Sequence, residues 1–178
     1  MSSYANATAD GLWRSGADRI VYVPSVTVAP VITALVAADG GQEGVSPRVT
    51  PVSREEEAVG IAGALPLTGK FGAIVMQDNG FGNALTALTT FTLSYHLPVL
   101  IFANTRGSLG EYNSMIHSVS QFVPSLLKRV SLPVIELDYR SSASQWGEVI
   151  EEAGNHARMT FRPVVVLGSF WNTDGKVA

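Results

Sequence analysis

Short apolar runs rich in β-branched residues recur along the chain at Ile20–Val23, Val49–Val52, Ala73–Met76, Val99–Phe102, Val134–Leu137 and Val164–Leu167. Each is continuous rather than alternating, which is how a strand reads when both faces of its sheet are covered. Between them the spacing predicts helices over Pro30–Ala38, Arg54–Leu65, Asn83–Ser94, Ser114–Lys128 and Ala143–Arg158, with an early helix around Ala7–Ser15. Gly40–Gly41, Pro98, Pro133 and Pro163 punctuate the boundaries, as turn and strand-start residues do. Strands and helices alternating in this way predict an α/β fold, a six-stranded parallel sheet with helices on both faces in three αβα layers. No internal repeat, low-complexity tract or linker interrupts the pattern, so one domain over residues 1–178 is expected.

Composition narrows the partners. With 46% hydrophobic and 15% charged residues and a mean hydropathy of +0.21, the chain is more apolar than a soluble monomer requires. Part of that surplus is expected to face another subunit. A net charge of -3 without any Lys/Arg cluster argues against nucleic acid or an anionic membrane surface as the main partner, and a small molecule or a protein fits better. The absence of cysteine removes disulfides, thiolate metal sites and cysteine nucleophiles together. The segment through Asp18 is polar and broken by Gly11 and Gly16, unlike a signal peptide, so a cytoplasmic setting is expected. No apolar run approaches the roughly 18–20 residues that cross a bilayer.

In open α/β sheets the ligand lies beyond the carboxyl ends of the strands, so chemistry is sought directly after them. After the second run, Ser53-Arg54-Glu55-Glu56 reads as a capping box, with Ser53 as cap and Glu56 reaching back. The acids there also suit the positive end of the helix dipole. Glu55 shares its helical face with Ala58, Val59 and Ala62, a small and apolar stripe. An acid so placed is partly desolvated, which raises a carboxyl pKa and suits it to hold or share a proton with a ring nitrogen. After the third run, Gln77-Asp78-Asn79-Gly80-Phe81-Gly82-Asn83 is a glycine turn leading into a helix, either a close backbone approach to a ligand or an ordinary turn with Asn83 as cap. A dinucleotide fingerprint is incomplete, since Leu85 stands where its third glycine belongs. No Gly-x-Ser-x-Gly elbow marks a serine hydrolase. After the fourth run, Asn104 to Gly110 form a polar, glycine-containing loop of the kind that carries function, continuing to His117. Arg106 there is suited to a bidentate anion contact or to binding loop carbonyls. His96 and His156 read as structural.

These three segments together resemble the pyrimidine-binding (PYR) domain of thiamine-diphosphate-dependent decarboxylases, a flavodoxin-like fold. Arg54-Glu55-Glu56-Glu57-Ala58-Val59-Gly60 resembles the domain's first helix, in which a glutamate is followed three residues later by alanine; the match assigns that glutamate to Glu55. In such enzymes it contacts N1' of the cofactor's aminopyrimidine and favours the imino tautomer that removes the thiazolium C2 proton. The glycine turn resembles the loop of sulfopyruvate and phosphonopyruvate decarboxylases. The match implies that Gln77, Asn79, Gly80, Phe81 and Asn83 border the cofactor and the reacting carbonyl, with Asp78 in place of the usual amide. Arg106-Gly107 and the downstream His117 resemble the same enzymes' substrate loop, although the proline common there is missing between them. By that likeness Arg106, His117 and Asn79 would take the substrate acid, and His117 is also a candidate to move protons.

The diphosphate of this cofactor is held through Mg²⁺ by oxygen ligands from a Gly-Asp-Gly segment that the chain lacks. The three scattered histidines make no transition-metal site either. The chain therefore resembles the alpha subunit of a two-gene decarboxylase, with a beta subunit supplying diphosphate and metal contacts. A sulfonated, phosphonated or similar anionic 2-oxo acid would be the substrate. Two other readings remain open on sequence: a carboligase subunit of the same family, and a non-catalytic flavodoxin-like module that binds a ligand.

Overall fold

A computed structural model describes residues 2–40 and 47–176. The expected boundary residue Gly41 lies outside the described residues. Helix α1 (Ser3–Arg14) starts earlier than its apolar pattern suggests, because the Ser2 hydroxyl accepts from the Ala5 N–H and caps it. Strand β1 (Arg19–Tyr22), helix α2 (Ala29–Asp39), strand β2 (Val49–Pro51), helix α3 (Glu55–Ala64) and strand β3 (Gly72–Gln77) follow as the periodicity predicts. Helix α4 (Phe81–Ala87) begins two residues before Asn83 and runs into a π-helical turn over Leu88–Leu93. There the hydroxyls of Thr89, Thr90 and Thr92 donate to carbonyls four residues back, competing with the backbone ladder.

Beyond strand β4 (Val99–Asn104) the single helix expected over Ser114–Lys128 is two helices, α5 (Ser114–Ser120) and α6 (Val123–Arg129). Pro124 is the reason, since its ring would meet the Ser120 carbonyl and it has no N–H to continue the ladder. Strand β5 (Val134–Leu137), helix α7 (Ala143–Thr160) and strand β6 (Val164–Gly168) follow. Pro98, Pro133 and Pro163 each stand immediately before a strand, where a missing N–H costs the sheet nothing.

All strands among the described residues are parallel, in the order β2-β1-β3-β4-β6-β5. Because successive side chains of a strand face opposite ways, each central strand feeds two cores. Ile20, Val75, Leu100, Phe102 and Val166 pack under α1, α2 and α7; Val21, Ile74, Met76, Ile101 and Val165 pack under α3, α4 and α6. Helices α1 and α7 approach so closely that a Cβ on Gly11 would lie 2.5 Å from the Gly147 carbonyl oxygen. Past β6 the chain returns to α1, where the Asp174 carboxylate accepts from the Ser2 hydroxyl and the N–H groups of Ser3 and Tyr4. No helix among the described residues is long and apolar enough to cross a membrane.

The strand order reverses between β1 and β3, where the chain leaves β1 for β2 on one side and β3 for β4 on the other. Such a reversal sends the flanking loops apart and opens a crevice at the carboxyl ends.

Candidate active site

This crevice is closed at its floor by side chains from both sides of the reversal. Gln77, the last residue of β3, accepts at Oε1 from the Ser25 hydroxyl beyond β1 (3.0 Å) and from Nη1 of Arg106 beyond β4 (3.0 Å). Its Nε2 donates to Oδ1 of Asn79 at 2.6 Å. Asp78 points the other way and is fully buried. It accepts from the Ser120 hydroxyl (2.6 Å), the Arg106 N–H (2.9 Å) and the Thr105 hydroxyl (3.0 Å). Burial pushes this carboxyl up from its ordinary value, and the hydrogen bonds from Ser120, Arg106, Thr105 and Asn79 oppose the shift. Asp78 thus ties the β3 turn, the β4 loop and α5 into one unit.

Glu55 opens α3 half-buried, above the fully buried Ala58, Val59 and Ala62. Its Oε2 accepts from Nδ2 of Asn83 at 2.9 Å. Gly80 makes room for it: a Cβ there would lie 2.5 Å from both Cγ and Oε1 of Glu55. The acid of α3 and the glycine turn of α4 are therefore one constellation. The Phe81 side chain is buried in the core beneath the turn, so this residue offers a ligand only its backbone. Asn83 lies inside the first turn of α4 rather than at its cap.

The capping frame expected here is shifted by one residue. Arg54, not Ser53, precedes the helix, and Glu57 rather than Glu56 accepts from the N–H groups of Ser53 (3.0 Å) and Arg54 (3.2 Å). Glu56 instead pairs with Arg54 at 2.6 Å. That leaves Glu55 at the first helical position, free of any capping duty.

Arg106 does not stand open to solvent. Its Nε donates to Glu111, whose other oxygen accepts from the Asn113 N–H at 2.6 Å. The side chains of Arg106 and Glu111 are only 18% and 8% exposed, and the Arg106 guanidinium holds the Glu111 carboxyl below the usual carboxylate range. Glu111 escaped the sequence reading. An arginine and a glutamate five residues apart in a glycine-broken loop have no periodicity to link them. His117 lies half-buried in α5, three residues before the Ser120 that meets Asp78, and its imidazole has no hydrogen-bond partner among the described residues. A second cleft of about 240 Å³ opens where β4 and β6 part, lined by Arg106, Glu111, Tyr112, Trp171 and Lys176. No cluster of His, Cys, Asp or Glu among the described residues could hold a metal ion.

Residues 2–123 match the family described as thiamine pyrophosphate enzyme, N-terminal TPP binding domain. Curated relatives named sulfopyruvate decarboxylase subunit alpha are 30% identical in Methanothermobacter thermautotrophicus, covering 90% of this chain and 93% of that one. In Methanococcus maripaludis the identity is 31%, covering 90% and 92%. Among solved structures, a 2-oxoglutarate:ferredoxin oxidoreductase from Magnetococcus marinus superposes with a TM-score of 0.68 at 16% identity. That likeness covers 95% of this chain but only 29% of the oxidoreductase chain, and shows the fold alone.

Proposed function

The chain belongs to the thiamine pyrophosphate enzyme family as its N-terminal TPP binding domain, and from that premise we propose that it is the alpha, pyrimidine-binding subunit of a two-subunit 2-oxo-acid decarboxylase. Sulfopyruvate is the substrate that the relatives' names favour. The observation that carries the reading is the half-buried Glu55 carboxylate, held by Asn83 and cradled by the missing side chain of Gly80. These residues fit the cofactor's pyrimidine ring: an acid for a ring nitrogen, a glycine that admits close approach, and exposed backbone at the turn. When bound, thiamine diphosphate supplies the nucleophile that adds to the 2-oxo group and the electron sink for loss of carbon dioxide.

The chain's own part is to hold a proton at Glu55, to border the ring with Gly80, the Phe81 backbone and Asn83, and to orient the substrate with Gln77 and Asn79. His117 completes the substrate side as a proton carrier, and Arg106, its charge answered by Glu111, supports the acid group's site through Gln77. Mg²⁺ and the diphosphate are assigned to a beta subunit, whose existence the relatives' name, subunit alpha, supports. The whole chain acts as one domain, in the cytoplasm. Purified with its partner and supplied with thiamine diphosphate and Mg²⁺, it should consume a sulfonated 2-oxo acid. Glu55→Gln should abolish turnover while the subunits still co-purify; turnover equal to wild type would refute the assignment.

A further inference from the structure

We propose that Glu111 and Arg106 are positioning residues, which fix the Asn79 amide as a hydrogen-bond donor toward the carboxylate of the substrate. The proposal rests on the decarboxylase reading for the identity of the ligand, and on the geometry of four side chains for the rest.

The argument is one of donors and acceptors. Arginine carries only donors, so the Gln77 atom that meets Nη1 of Arg106 at 3.0 Å must be the carbonyl oxygen. The Ser25 hydroxyl donates to the same oxygen. The Gln77 amide is thereby fixed, with its nitrogen turned to Asn79. That nitrogen has no acceptor lone pair, so the Asn79 atom 2.6 Å away must be Oδ1. Asn79 is left with its two N–H groups for a ligand beyond the carboxyl end of β3. An acceptor fits there and a donor does not. A 2-oxo acid presents acceptors only, at its carboxylate and its carbonyl.

Glu111 sets the start of this chain. It holds Nε of Arg106 and is itself held by the Asn113 N–H. With its charge answered by Glu111, Arg106 acts through Gln77 and Asn79 more than as a direct anion trap. Sequence could not show this, because Gln77 and Asn79 stand at the end of β3 while Arg106 and Glu111 follow β4, and no period links the two pairs.

The test uses the assembled holoenzyme and two readouts: KM for the 2-oxo acid, and the calorimetric Kd of oxamate, an unreactive carboxylate. Glu111→Gln should raise both about tenfold, the value of one well-aimed hydrogen bond to a charged group. Its Kd for thiamine diphosphate should stay within about twofold, since the cofactor side of the site is untouched. Arg106→Lys should reproduce the loss, because a lysine presents a single point of donors where Arg106 spans Glu111 and Gln77. In an Asn79→Ala background, Glu111→Gln should change oxamate affinity no further. Unchanged oxamate affinity in Glu111→Gln would overturn the proposal. So would additive losses in the double variant, or an equal loss of cofactor affinity. Should the wild-type complex turn over no 2-oxo acid, the decarboxylase reading fails, and the oxamate pattern still decides the relay.

Discussion

Asp78 is the residue whose removal reads out the architecture of the site most directly. Truncating it to alanine leaves the Arg106 N–H and the hydroxyls of Thr105 and Ser120 without their acceptor in a buried place. Each unsatisfied donor costs about 1–3 kcal/mol; the hydroxyls can rotate away but the N–H cannot, so a total of about 3–4 kcal/mol is expected. Asp78→Asn keeps one oxygen for Arg106 and Thr105 and lets its amide donate to Ser120, so it should cost no more than about 1 kcal/mol. Amide exchange over residues 104–121 in the assembled complex measures this, since 3 kcal/mol of local opening corresponds to exchange faster by about 100-fold. The two variants should also differ in pH dependence. The folded-state pKa of Asp78 is raised, so its contribution to stability is complete below the unfolded value of 3.8 and is lost as pH rises through the folded value. Relative to Asp78→Asn, the wild type should therefore gain stability as the pH is lowered. Exchange in Asp78→Ala within a factor of three of wild type, or equal costs for alanine and asparagine, would refute the reasoning.

Further outcomes follow from other contacts. Gly80→Ala is allowed by its backbone, at φ -62° and ψ -16°, yet its Cβ would displace the Glu55 carboxylate. Turnover of the complex should fall about 10- to 100-fold with little change in melting temperature, as expected of a catalytic group moved by about 1 Å. At Asp174 partial burial raises the carboxyl pKa, but the hydrogen bonds from Ser3, Ser2 and Tyr4 prevail and lower it from 3.8 to about 2. A depressed carboxyl stabilises above the unfolded value, so the melting-temperature gap between wild type and Asp174→Asn should be widest above pH 3.8 and close as the pH falls through about 2.

The strands were the most legible part of the sequence. Runs such as Val99–Phe102 are buried on both faces, and a proline in front of three of them marks where pairing begins. The stripe beneath Glu55 was legible for the same reason, since Ala58, Val59 and Ala62 obey the helical period. The break between α5 and α6 was written in Pro124 and went unread inside an otherwise periodic segment. The capping frame slipped because Ser53, Glu56 and Glu57 offer two registers one residue apart, and only the course of the backbone chooses between them. What no period encodes is the union of loops far apart in the chain. The burial of Asp78 by Ser120, 42 residues away, and the pairing of Arg106 with Gln77 arise only when the crevice closes.

The position of β6 between β4 and β5 has a consequence for how the polypeptide is made. As the ribosome delivers the chain, β5 emerges with no strand to pair with, and β4 keeps one edge of unfilled amides although its side chains are destined for full burial. Only when Val164–Gly168 is released can the last strand slot in and seal both. Until then the nascent protein presents an apolar, half-finished sheet edge to its surroundings, the kind of surface that chaperones cover and that truncated products expose to aggregation.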